Sequence, residues 1–220
     1  MCSSDLSGSA TGGRGGALQF HVGEGDTGEG GEVSVRAGAT TDTAVGGAVG
    51  IHSGFSSCTS SGMITLATPN AGSSGVSGLI QLKTGTSSCG DSGAISINTG
   101  TTATGHGGDI DINVGTGDAG AGGHIRVIAG EATAASQIAG FAIVKGGLAS
   151  NTDAGEGGAV HVFGGDAAGT GDGGRVWLEG GSTVDGVGGD IQVHGGSSAS
   201  HTGGDIRLVS GVSECTSSGS

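Results

Sequence analysis

The sequence predicts an all-β fold, a parallel β-solenoid, and three observations predict it. A short motif recurs thirteen times, beginning at Gly15, Gly30, Gly46, Ser61, Ser77, Ser92, Gly107, Gly122, Ala139, Gly157, Gly173, Gly188 and Gly203, with spacings of 15 to 18 residues. Within each copy apolar and polar residues alternate, as in Gly107-Gly108-Asp109-Ile110-Asp111-Ile112-Asn113-Val114-Gly115, the pattern of a short strand with one buried face. No stretch has helical periodicity. A five-residue strand cannot bury its face or satisfy its backbone alone, so the expected solution is stacking of successive repeats.

Residues 1–14 lack the pattern and read as a Ser/Gly-rich lead-in; the repeat array fills 15–220. The expected inward pairs are Leu18/Phe20, Val33/Val35, Val49/Ile51, Ile64/Leu66, Ile80/Leu82, Ile95/Ile97 and Ile110/Ile112. They continue with Ile125/Val127, Ala142/Val144, Val160/Val162, Val176/Leu178, Ile191/Val193 and Ile206/Leu208. Ala142 is the single position outside Val, Ile, Leu and Phe, and β-branched residues dominate, as a buried pleated face requires. The next residue on that face is usually small (Ala37, Ser53, Thr68, Thr84, Thr99, Ala129, Gly146, Gly164), which predicts that neighbouring coils approach closely there.

Between the runs lie loops of Gly, Ser, Thr, Ala and Asp, where glycine permits positive φ. Two layouts fit: one repeat per turn, or two repeats per turn with strands facing across a core about 10 Å thick. The second is preferred, because it sets aliphatic pairs against one another. Cys58, Cys89 and Cys215 share one loop offset and all fall in odd-numbered repeats, which agrees with it. Cys215-Thr216-Ser217-Ser218-Gly219 repeats Cys58-Thr59-Ser60-Ser61-Gly62 in outline, so the array is expected to stop in mid-repeat, as a segment of something longer.

Composition narrows the function. Glycine supplies 55 of 220 residues, with one proline, but no Gly-X-Y period, which excludes collagen. A net charge of −13 with seven basic residues argues against nucleic acid and anionic membrane surfaces. No apolar run is long enough to insert in a bilayer, and no signal peptide is visible at the start.

In the two-repeat layout Cys58 and Cys89 lie one turn apart, at a separation a disulfide can span; Cys2 and Cys215 could link one unit to the next. No zinc spacing accompanies them. The Gly-Asp loops at Asp26, Asp118 and Asp172 lack the nine-residue calcium rhythm, so no metal or cofactor is expected. The seven histidines share no column, and no Ser/His/Asp set can be assigned. Asp109 and Asp111 lack a basic partner on their strand, so the chain reads as no enzyme. Ser/Thr-rich loops such as Thr86-Ser87-Ser88 offer sites for O-linked glycans, and no N-glycosylation sequon is present. Phe163, Trp177, Ile128, Ile143 and Val209 are apolar at outward positions and are the candidates for a lateral contact.

The repeat, typified by Gly188-Gly189-Asp190-Ile191-Gln192-Val193-His194-Gly195-Gly196-Ser197-Ser198, resembles the glycine-rich repeat regions of stramenopile mastigoneme proteins, a group that includes the sexually induced diatom proteins. The likeness covers about residues 15–220 and rests on a motif of low complexity. It implies a structural subunit of an extracellular filament or flagellar hair, self-assembling with copies of itself and related chains through stacked β-rungs. An adhesin stalk or carbohydrate-binding surface solenoid is the alternative.

Overall fold

The computed structural model describes residues 11–150 and 155–212. Among them there is no helix and no β-strand. This overturns the predicted parallel β-solenoid: neither the one-repeat nor the two-repeat turn is built, and no stacked rungs join one repeat to the next. The chain is a low-regularity coil in which the 15-residue period survives as a series of loops. It divides into two units, Met1–Ile110 and Asp111–Ser220, and the division falls inside the repeat that begins at Gly107.

No hydrophobic core forms among the described residues. The accessible surface is 22114 Å², about twice the ~10,000 Å² that two compact units of this total mass would expose. The supposed inward pairs are open to solvent: Ile110 is 52% and Ile112 70% exposed. In the twelve pairs other than Ala142/Val144 the first member is the less exposed of the two, but the second is as open as the residues assigned to the outer face, and loop valines such as Val184 reach 96%.

The physical reason lies in the balance of each repeat. Two aliphatic side chains per repeat are the hydrophobic gain, whereas the cost is fixing a run and a loop rich in glycine, the residue that loses most backbone freedom on ordering. Alternation still governs local geometry. Residues two apart meet on one side of the chain, as in an extended backbone: the rings of His161 and Phe163 stack with centroids 5.6 Å apart, and Trp177 Nε1 donates to Glu179 Oε2 at 3.0 Å.

Each unit contains the same device. In the first, the Gly47 amide donates to the Gly38 carbonyl at 2.9 Å and that of Gly62 to Gly54 at 2.8 Å. In the second, Gly140 donates to Gly130, Gly158 to Gly147, Gly174 to Gly165, Gly189 to Gly181 and Gly204 to Gly196, all at 2.8 or 2.9 Å. Each bond closes one loop at its neck, between the glycine that ends one run and the second residue of the next. These seven are the backbone hydrogen bonds among the described residues.

Inside the loops a hydroxyl does the folding. Thr40, Ser56, Thr102, Thr183 and Ser198 stand two residues after a neck glycine, and each side-chain oxygen accepts from a backbone amide two or three residues on: Asp42, Cys58 and Thr59, Gly105, Gly186, and Ser200 and His201, respectively. This is the turn-forming habit of Ser and Thr. Gly28, Gly75 and Gly90 sit at the loop bends with φ of +83°, +137° and +102°, which a side chain would resist.

Candidate functional site

The periodic feature with defined geometry is the loop neck. The residue that follows each apolar pair on the same side of the run lies against the second residue of the next repeat. Of the small residues predicted to allow close approach, Ala37, Thr68, Ala129, Gly146 and Gly164 are half-buried in a chain that is otherwise almost wholly exposed. The expected approach of neighbouring coils is not formed; what these residues allow instead is contact between consecutive runs across one loop.

Glycine is needed on the far side of the neck for steric reasons. A Cβ on Gly174 would stand 2.8 Å from the Gly165 nitrogen, one on Gly189 2.9 Å from the Gly181 nitrogen, and one on Gly47 3.1 Å from the Gly38 nitrogen. Gly146, Gly164, Gly180 and Gly195 are as constrained, since a Cβ on each would collide with the carbonyl oxygen of Gly158, Gly174, Gly189 and Gly204 respectively. By contrast, a methyl on Gly165, Gly181 or Gly196 would meet nothing within 4 Å. Two kinds of glycine thus alternate, one fixed by contact and one that merely ends a run.

Cys58 and Cys89 are free and exposed. The pairing predicted for them depended on coils one rung apart, and with the coils gone that geometric ground is removed. Cys2 and Cys215 lie outside the described residues. The lateral-contact candidates are open to solvent, with Phe163 at 82%, Trp177 and Ile128 at 74%, Ile143 at 73% and Val209 at 72% exposed. Leu208, assigned to the opposite face, is 88% exposed, so burial does not separate an inner from an outer side. The structure brings together His161 with Phe163 and Trp177 with Glu179, each pair within one run; it does not gather the apolar candidates into one patch.

Among the described residues no cavity is formed, no three His, Cys, Asp or Glu side chains converge on a point, and no helix is long and apolar enough to cross a membrane. Sequence reasoning missed the seven neck hydrogen bonds. A glycine at the run's end and another at the second position of the next run flank every one of them, but they flank the unbonded loops Gly23/Gly31, Gly85/Gly93, Gly100/Gly108 and Gly115/Gly123 as well. No known protein family, curated protein or solved structure matches this chain.

Proposed function

We propose that the chain is a structural subunit of an extracellular filament or flagellar hair, working by association with copies of itself. The observation that supports this reading is the periodic apolar series with nothing covering it. Leu, Ile, Val and Phe recur in pairs along the chain, and the described ones are all exposed by 46% or more. A row of this length and regularity in water is the sort of surface that marks an interaction site. A second copy carries the same period, so apolar pairs of two chains can meet many times along their length, and weak contacts add as in multivalent binding. Closed loops project the hydrophilic Gly, Ser and Thr residues between the apolar runs, which suits a hydrated outer surface open to O-linked glycans.

Charge sets the conditions. With a net charge of −13 and a sequence pI near 4.6, copies repel one another at neutral pH and low salt. Association is expected to rise as salt screens this charge or as pH falls toward the pI. Negative-stain imaging and sedimentation of the purified chain across a salt series test it. Regular fibres whose amount grows with salt are the expected result; a chain that stays monomeric at every salt and concentration contradicts the proposal.

The second reading, an adhesin stalk or carbohydrate-binding surface, has one observation in its favour. The exposed His161–Phe163 stack and Trp177, held by Glu179, present flat rings on successive runs, and such rings pack against apolar faces. Saturable binding of a soluble oligosaccharide by the monomer, lost in Trp177→Ala, would favour it over the filament.

A further inference from the structure

The necks fall into two classes, and side-chain branching separates them. Seven close with a hydrogen bond, and there the residue preceding the neck glycine is Ala37, Ser53, Ala129, Gly146, Gly164, Gly180 or Gly195. At the five equivalent positions without one, that residue is Val22, Thr68 (followed by Pro69 in place of the neck glycine), Thr84, Thr99 or Val114. Every residue of the first group lacks a Cγ carbon; every residue of the second carries at least one on a branched Cβ.

Geometry supplies the cause. In the unlatched loops the atom nearest the far glycine is the branch carbon itself. Thr68 Cγ2 lies 3.1 Å from where a Cβ would stand on Gly78, Thr84 Cγ2 3.3 Å from that point on Gly93, and Thr99 Cγ2 3.5 Å from that point on Gly108. Val22 Cγ1 approaches the same point on Gly31 at 2.5 Å, and Val114 Cγ1 on Gly123 at 2.7 Å. In six of the latched loops backbone atoms of the neck glycine come nearest this point, as with the Gly147 nitrogen at 2.9 Å for Gly158 and the Gly165 nitrogen at 2.8 Å for Gly174; at Gly62 the Ser53 Cβ at 3.4 Å and the Gly54 nitrogen at 3.6 Å share it. The branch carbon and the neck backbone compete for one space against the face of one glycine.

We propose that the residue before the neck is a latch selector: a branched Cβ holds the loop open by seating its Cγ on the far glycine, and an unbranched small residue lets the backbone bond form. Selection is stiff because a β-branched side chain has restricted χ1 freedom and cannot readily turn its Cγ atoms away. Along the sequence the classes are grouped. Thr68, Thr84, Thr99 and Val114 mark four successive open loops, and Ala129, Gly146, Gly164, Gly180 and Gly195 five successive latched ones. Open loops spread under extension without first breaking a bond, so the chain carries a compliant stretch followed by a latched one. This inference does not depend on the filament reading, because it concerns single loops.

Thr84→Ser is the decisive substitution, since it removes only the branch methyl and keeps the hydroxyl. In the full chain labelled with 15N-glycine and 13C carbonyls, a scalar coupling across the hydrogen bond from Gly93 N to Gly85 C′ is expected to appear. Exchange of the Gly93 amide should slow by about 2- to 10-fold, the effect of one modest net hydrogen bond. Thr84→Val keeps the branch and should leave Gly93 as in the wild type. The converse change, Ser53→Thr, adds only the branch methyl to a residue that already carries a Cβ, and should speed exchange at Gly62 by a similar factor. An unaltered Gly93 amide in Thr84→Ser, or a closed loop in Thr84→Val, would overturn the proposal.

Discussion

Replacing Val160 and Val162 together by Asp is expected to lower self-association by about 100-fold or more. The two valines form the apolar pair of one run and are 48% and 68% exposed in the single chain, so they hold most of their burial in reserve. Covering a valine fully is worth about 1.5–3 kcal/mol, and each 1.4 kcal/mol is roughly tenfold in affinity. With 48% and 68% of the two side chains still to cover, losing both removes about 1.7–3.5 kcal/mol per contact, and placing carboxylates in an apolar seam adds a further cost that carries the loss past about 100-fold. Val184→Asp with Val187→Asp is the matched control. Both residues are 96% exposed in a loop and belong to no apolar pair, yet the change in net charge is identical. Sedimentation of both variants in high salt should show association abolished in the first and nearly intact in the second. Equal losses would mean that net charge, not the apolar pairs, governs assembly.

The second large effect is local. Gly174→Ala is expected to break its loop neck, while Gly165→Ala, on the other side of the same hydrogen bond, leaves it closed. The Gly174 amide donates to the Gly165 carbonyl at 2.8 Å, and the new methyl would stand 2.8 Å from the Gly165 nitrogen. Both crowding partners are backbone, so no flexible tip can swing aside. At Gly165 the methyl meets nothing within 4 Å. The reduction in unfolded-state freedom on going from Gly to Ala is the same at both sites and cancels in the comparison. Exchange of the residue 174 amide should quicken by about 2- to 10-fold in Gly174→Ala, the loss of one net hydrogen bond. Gly165→Ala should leave it within error of the wild type. Equal behaviour of the two variants would show that the neck glycines are interchangeable.

The local layer of this protein is legible in its residues. Alternation around Ile110 and Ile112 predicts an extended run with side chains on two sides, and the same-side meetings of His161 with Phe163 and Trp177 with Glu179 follow that rule. The Gly/Ser/Thr loops bend where their hydroxyls and positive-φ glycines predict. Room for close approach after each apolar pair is also readable, from the small size of Ala37 or Ala129. What pairs with what is not. Alternation specifies a face, and says nothing of the partner that covers it; a partner chosen by hydrophobic periodicity alone led to stacked coils that the structure does not form. Glycine is the reason the expectation overreached. A run flanked by Gly46-Gly47 and Gly54 can come close to its neighbour across a loop, but the same glycines raise the entropy cost of holding many runs in register. The neck bond is not legible from residue size before the neck: Thr84 and Ser53 are both small, yet only Thr84 is branched with a Cγ carbon, and only the Ser53 loop is latched.

Amide exchange on the dilute, monomeric chain tests the central claim most directly. The amides of Ile110, Ile112, Val160 and Val162 are expected to exchange at nearly the rates of an unstructured chain, with slowing confined to the latched glycines Gly47, Gly62, Gly140, Gly158, Gly174, Gly189 and Gly204 and to the loop amides that donate to a Ser or Thr hydroxyl. Protection of the Ile and Val amides by 1,000-fold or more, of the order shown by strands in a cooperatively folded core, would contradict it.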